Sequence, residues 1–155
     1  MTNNDVLRRL RYALALTDEA AGQLFALGGQ RADAAEVDGW TRPDDDPGFA
    51  PMTDYALAVF LNGLIVARRG RRPDRPMPPP ERQLSNNLIL RKLRIAFDWR
   101  TDDVVALCAL AGKTVGAAEV TAFFRRPGAR QYRAMNDQYL RWVLTGLQRR
   151  LGGAG

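Results

Sequence analysis

The chain has 155 residues, 46% of them hydrophobic and 26% charged, which suffices for the core of one ordinary domain or two small ones. Its formal net charge is +6, it contains no histidine, and Cys108 is its single cysteine. These counts remove the commonest general base and metal ligand, exclude an intrachain disulfide, and suit a reducing cytoplasm. No secretory pattern opens the chain, and its longest apolar stretch, 55–67, is broken by Asn62 and Gly63. That stretch falls well short of the ~18 residues of a membrane span. The expectation is a cytoplasmic protein without membrane segments.

In chain order, the first element is a helix that Asn3 or Asn4 can cap, with Val6, Leu7, Leu10, Ala13 and Leu14 on one face. Asp18 is placed to cap a second helix that ends at Gly28-Gly29. A short third helix covers 34–42, and a fourth starts at Thr53 and runs to about Arg68. Residues 70–82 hold five prolines and four arginines, a composition that stops a helix and favours a semi-rigid extended linker. Beyond it the pattern starts again. Ile89, Leu90, Leu93, Ala96 and Phe97 form an apolar face, Thr101 opens a helix ending at Gly112, 117–125 is short, and Asn136 opens a final helix.

This return is an internal duplication. A shift of 83 residues aligns the halves without a gap, and about a third of the aligned positions are identical. Asn3-Asn4 falls on Asn86-Asn87, Leu7-Arg8 on Leu90-Arg91, Ala34-Ala35-Glu36-Val37 on Ala117-Ala118-Glu119-Val120, and Asp54 on Asp137. Gly63 and Gly146 are equivalent and lie inside the fourth helix of each copy, where glycine costs ~1 kcal/mol relative to alanine. Their recurrence predicts a close helix crossing. Tyr12, Leu16, Ile95 and Trp99 lie outside the main apolar arcs and form an expected docking surface between the copies. The predicted fold is all-α: two roughly four-helix units with helix-turn-helix-like proportions, packed as one compact body. The first repeat spans 1–69, the linker 70–85, the second repeat 86–151 and a flexible tail 152–155.

Charge is divided unevenly between the copies. Residues 1–67 carry net −5, 68–82 net +4 and 83–155 net +7. The densest acidic run, Asp44-Asp45-Asp46, can in principle hold a hard cation. Adjacent carboxylates point in different directions, however, and Pro47-Gly48 makes a solvated turn the simpler reading. The second copy has Arg125-Arg126-Pro127-Gly128 in the corresponding region, so the turn recurs with inverted charge. Gly112-Lys113-Thr114 ends like a phosphate-binding loop, yet Leu107 stands where that motif needs a glycine. The helix-turn-helix proportions of 101–125 place Gly116-Ala117-Ala118 at the start of the second helix, which offers no side chains to base edges. Cys108 lies on an apolar helix pattern and reads as core. No nucleophile–base pair is visible, and the expectation is a protein that is not an enzyme and takes no cofactor or metal.

The better candidates are basic. Arg91 and Arg94 lie beside the core face of their helix, and Arg125, Arg126, Arg130 and Arg133 surround Tyr132 in one segment. Arginines with an aromatic suit phosphate contact and base stacking in DNA or RNA. They equally suit a solvated surface, or pairing with an acidic protein or the acidic first repeat of another copy.

The segments 4–14 and 87–97, together with Asp44-Asp45-Asp46-Pro47-Gly48-Phe49, Phe60-Leu61-Asn62-Gly63-Leu64-Ile65 and Phe124-Arg125-Arg126-Pro127-Gly128, resemble the YehS-like family. These are bacterial cytoplasmic proteins with a duplicated domain of unknown function. The resemblance spans both repeats and implies a small helical cytoplasmic protein, and it brings no catalytic residues. The linker is richer in proline and arginine than the family pattern. Two functions stay open: a nucleic-acid-associated protein acting through the second repeat, or a protein-interaction module that self-associates or binds an acidic partner.

Overall fold

A computed structural model describes residues 1–71, 74 and 76–152. Arg72, Pro73 and Arg75 of the expected linker, and 153–155 of the expected tail, lie outside the described residues. Among the described residues the chain is all-helical. The first copy contains α1 (Asn3–Ala13), α2 (Asp18–Leu27), α3 (Ala34–Thr41) and α4 (Asp54–Arg69). The second contains α5 (Asn86–Phe97), α6 (Thr101–Leu110), α7 (Ala117–Phe123) and α8 (Asp137–Arg150). None of these helices is long and apolar enough to cross a membrane.

Thr53 and Asn136 cap α4 and α8 as the sequence reading has it, whereas three other helix starts differ from it. Thr2, not Asn3 or Asn4, caps α1 through its hydroxyl, and Asp5 reaches back to the Thr2 N–H. Thr17 rather than Asp18 caps α2, and Arg100 rather than Thr101 occupies the N-cap of α6. At Thr2 and Thr17 the earlier hydroxyl has the extended backbone a cap needs, which frees the polar residues that follow for other work. For Asn4 and Asn87 that work is tertiary. Asn4 Nδ2 donates to the carbonyls of Trp40 and Ala50, both at 2.9 Å, and its Oδ1 accepts from the Met52 N–H at 3.0 Å. Asn87 repeats the pattern on Phe123 (3.0 Å), Arg133 (2.9 Å) and Met135 (2.8 Å). A buried amide in each copy thus ties the first helix to both ends of the irregular segment before the last one.

After α1 and α5 the chain turns through a left-handed residue, Ala15 (φ 53°) or Asp98 (φ 56°). Arg11 Nε closes the first turn onto the Leu16 carbonyl at 3.0 Å, and Arg94 Nε closes the second onto that of Trp99 at 3.3 Å. The close crossing expected from Gly63 and Gly146 is present. A Cβ on Gly63 would run into the Leu24 carbonyl of α2, and one on Gly146 into the Leu107 carbonyl of α6. Each copy is therefore built on a tight pair, α2 with α4 and α6 with α8.

The copies are joined reciprocally. α1 packs chiefly on α8, and α5 chiefly on α4, so the first helix of each copy completes the core of the other. Of the expected docking residues, Tyr12 and Ile95 are half exposed at 49% and 46%, Leu16 is partly buried and Trp99 is buried, so they do not form one covered face. The joining faces instead include Lys92, whose ammonium donates to Asn62 Oδ1 of α4 at 2.6 Å and lies 3.0 Å from Glu81 of the linker. The equivalent Arg9 donates to Thr145 of α8 at 3.4 Å. Lodged between α2 and α5, α4 buries every residue from Leu57 to Leu64, as a helix covered on opposite sides must. The N-terminal amine bonds to Asp137, and 83 positions later the Leu84 N–H bonds to Asp54 at 2.8 Å. The end of the linker is accordingly docked rather than a free spacer.

Candidate functional site

The sequence-predicted basic residues fall into two groups. Arg91 and Arg94 project from α5 toward the segment after α7. Arg91 Nη2 donates to the Phe124 carbonyl at 3.1 Å, and the Arg94 guanidinium lies 4.7 Å from the centre of the Phe124 ring. Both therefore reach the residue that precedes Arg125 and Arg126. Arg125, Arg126 and Arg130 are exposed, and Tyr132 is partly buried in the same loop. Arg133 is drawn elsewhere. It pairs with Glu119 at 3.2 Å and lies 5.6 Å from the Tyr139 ring centre, on the α7–α8 side.

Comparison of the copies shows what is special about this surface. In the first copy, the residues equivalent to Arg91, Arg94 and Arg125 are Arg8, Arg11 and Arg42, and each is neutralised. Arg8 pairs with Asp5 at 2.6 Å and Asp44 at 3.1 Å. Arg11 forms an ion pair, without aligned hydrogen-bond geometry, with Asp18 at 2.6 Å. Arg42 pairs with Asp38 at 2.8 Å and Asp46 at 3.2 Å. Hydrogen bonds from the Gly48 N–H and Arg42 hold the Asp46 carboxyl below its usual range. Burial alone would raise the Asp5 carboxyl, but hydrogen bonds from Thr2 and Arg8 bring it below that range.

At the five equivalent positions the second copy carries Leu88, Pro127, Thr101, Thr121 and Ala129. The arginines are kept and every carboxylate partner is gone. Among the described residues, none of Arg91, Arg94, Arg125, Arg126 and Arg130 has a carboxylate within ion-pair distance. Arg126 and Arg130 add cations where the first copy has Pro43 and Pro47.

The acidic turn behaves as a structural element. The carboxylates of Asp44 and Asp46 are taken by Arg8 and Arg42, and Asp46 also accepts from the Gly48 N–H at 2.7 Å. No group of three residues among those described can hold a metal ion. Cys108 is buried, and desolvation followed by the nearby Glu119 charge pushes its thiol up to about 11, which suits core rather than nucleophile.

Sequence reasoning missed the tertiary roles of Asn4 and Asn87 and the cluster in which Tyr139 donates to Glu119. The signal for the asparagines was present in their identity at equivalent positions. The Tyr139 cluster left no such trace, because the first copy has Ala56 there.

No solved structure matches the chain. It is 40% identical over 150 residues to "Uncharacterized protein YehS" of Escherichia coli (strain K12), covering 97% of this chain and 96% of that protein. The family model described as "Protein of unknown function (DUF1456)" matches twice, over residues 3–70 and 86–153. With one match on each structural copy and a relative of nearly equal length, the chain belongs to the DUF1456 family as a YehS-like tandem duplication.

Proposed function

We propose that this protein is a non-enzymatic nucleic-acid-binding protein whose second repeat contacts the phosphate backbone. The observation that carries the reading is the loss of all five carboxylate partners from an arginine scaffold that the first copy keeps neutral. Arg125, Arg126 and Arg130 supply exposed phosphate contacts, Arg91 and Arg94 add charge behind them, and Tyr132 and Phe124 supply ring faces. Phosphate contact of this kind positions a protein without reading sequence, in keeping with the bare Gly116-Ala117-Ala118 start of α7. We take the setting to be cytoplasmic, where DNA and RNA are both available. The interaction-module reading stands second, since within the acidic first repeat Asp44 and Asp46 of its densest run are already paired with Arg8 and Arg42.

The test is fluorescence anisotropy with labelled single- and double-stranded DNA and RNA, from ~50 to ~200 mM salt. Micromolar or tighter binding is expected, weakening as salt rises. The Arg125→Ala/Arg126→Ala/Arg130→Ala variant should lower the log–log salt slope by about 3, at roughly 0.9 per phosphate contact. No binding at the lowest salt, or an unchanged slope in the variant, refutes the proposal.

A further inference from the structure

The duplication reveals a second difference, around Tyr139 of the second copy and Ala56 of the first. In the second copy the Tyr139 ring meets Phe123 at 5.1 Å and Trp142 at 4.9 Å, both edge-on, and its hydroxyl donates to Glu119. Lys113 covers Trp142 at 5.1 Å. The equivalent first-copy residues of Tyr139, Trp142, Phe123, Glu119 and Lys113 are Ala56, Val59, Trp40, Glu36 and Gln30. Two large rings are missing, and a cleft of about 170 Å³ opens between α2, α3 and α4.

Phe25, which replaces Cys108, takes up part of the lost volume by packing at a tilt against Trp40 at 5.2 Å, and Tyr55, where the second copy has Gln138, lines the same cleft. What remains has Phe25 and Trp40 as an aromatic wall, Ala56 and Val59 as its base and Glu36 at its edge. Glu36 Oε1 accepts the Asp33 N–H at 3.4 Å. Its other oxygen has no protein partner among the described residues, whereas Glu119 holds both the Tyr139 hydroxyl and Arg133. Ala50 stands at the position of Arg133.

From this vacancy at an otherwise duplicated site, we infer that the first repeat binds a single phenol ring. The ring lies against Phe25 and Trp40, and its hydroxyl donates to Glu36 as Tyr139 donates to Glu119. The size suits one ring, since an apolar cavity of about 150 Å³ takes up benzene. Glu36 supplies the acceptor that distinguishes a phenol from a plain arene. The site is separate from the basic surface and stands or falls without it.

The experiment is a two-dimensional ¹H–¹⁵N NMR titration of the full chain with p-cresol, toluene and the peptide acetyl-Gly-Tyr-Gly-amide. Saturable shifts are expected at the Trp40 indole N–H and the Ala56 amide, at dissociation constants on the order of millimolar for so small a ligand. Binding of p-cresol should exceed that of toluene by about tenfold, the worth of a hydrogen bond to a charged acceptor, and Glu36→Gln should narrow that gap. Ala56→Tyr should abolish the shifts at Trp40, with Val59→Trp as a second filling substitution should the first fail to fold. Binding of both p-cresol and the peptide marks a tyrosyl side chain as the ligand, and binding of p-cresol alone marks a free phenol. Absence of saturable shifts up to ~10 mM overturns the inference, as does equal affinity for toluene, or binding that survives in a folded filled variant.

Discussion

Asn87→Ala tests whether one buried amide holds the basic loop in place. The wild-type side chain donates to Phe123 and Arg133 and accepts from Met135, all within 3.0 Å, and Asn87 is 8% exposed. The substitution removes three hydrogen bonds and strands a Met135 N–H and two carbonyls around a void. A typical net hydrogen bond contributes ~1 kcal/mol, and a buried group left unpaired costs ~1–3 kcal/mol. Water entering from the Arg133 side will satisfy part of the set, so the expected loss is about 3–4 kcal/mol. For a chain of this size that lowers Tm by roughly 10 °C. Urea unfolding followed by circular dichroism at 222 nm gives the free energy, and Asn87→Asp separates the contributions. It keeps the acceptor for Met135 but turns a carboxylate toward two carbonyls, so it should destabilise at least as much as alanine. A loss below ~1 kcal/mol for Asn87→Ala would show that the loop is held by other contacts, and would refute the reasoning. Because Asn87 anchors both ends of 123–133, the same variant should weaken nucleic-acid binding even under conditions where the protein stays folded.

Three further outcomes are expected. Gly146→Ala drives a methyl group into the Leu107 carbonyl, so α6 and α8 must separate. The gain in helix propensity is ~1 kcal/mol, and the backbone clash should outweigh it to give a net loss of at least ~2 kcal/mol in urea unfolding. Cys108 should resist a thiol reagent at pH 8 in the native protein and react promptly in ~6 M urea, since burial holds its thiol near 11 when folded; fast native labelling refutes the buried placement. Several carboxyls have folded pKa values below their ordinary range: Asp137 through hydrogen bonds from the N-terminal amine and Asn86, and Glu119 through the Tyr139 hydroxyl. Their stabilisation is complete above the unfolded carboxylate range near pH 4 and is lost as pH falls through the lower folded values. Thermal melts should be level from about pH 6 to 8 and decline below about pH 4, with a shallower acid slope in Asp137→Asn; an unchanged slope refutes the role of Asp137.

The duplication, the helical class and the helix crossings at Gly63 and Gly146 were legible in the sequence because each rests on local or periodic rules. Apolar spacing sets the buried face of a helix, and glycine inside a helix is costly enough to need a reason. The inverted charge of the two turns was also legible, since it needs only the alignment. Which arginines are neutralised was legible only in part. The local pairs of Arg8 with Asp5 and of Arg42 with Asp38 and Asp46 follow from short sequence spacing, but Arg8 reaches Asp44 and Arg11 reaches Asp18 only after the chain folds back, so that part of the contrast with Arg91 and Arg94 lies in space. The reciprocal packing of α1 on α8 and α5 on α4 was hidden for a related reason. An amphipathic helix states that it has an apolar face and not which copy covers it, so Tyr12 and Ile95 read as a joint although they are half exposed. The sequence by itself determined the repeated unit, its helices and its charge asymmetry, because those follow from short-range periodicity and residue type. The tertiary structure decided how the copies interlock, which guanidiniums stay unpaired and where the Tyr139 ring has no counterpart, because these depend on distances between residues far apart in the chain.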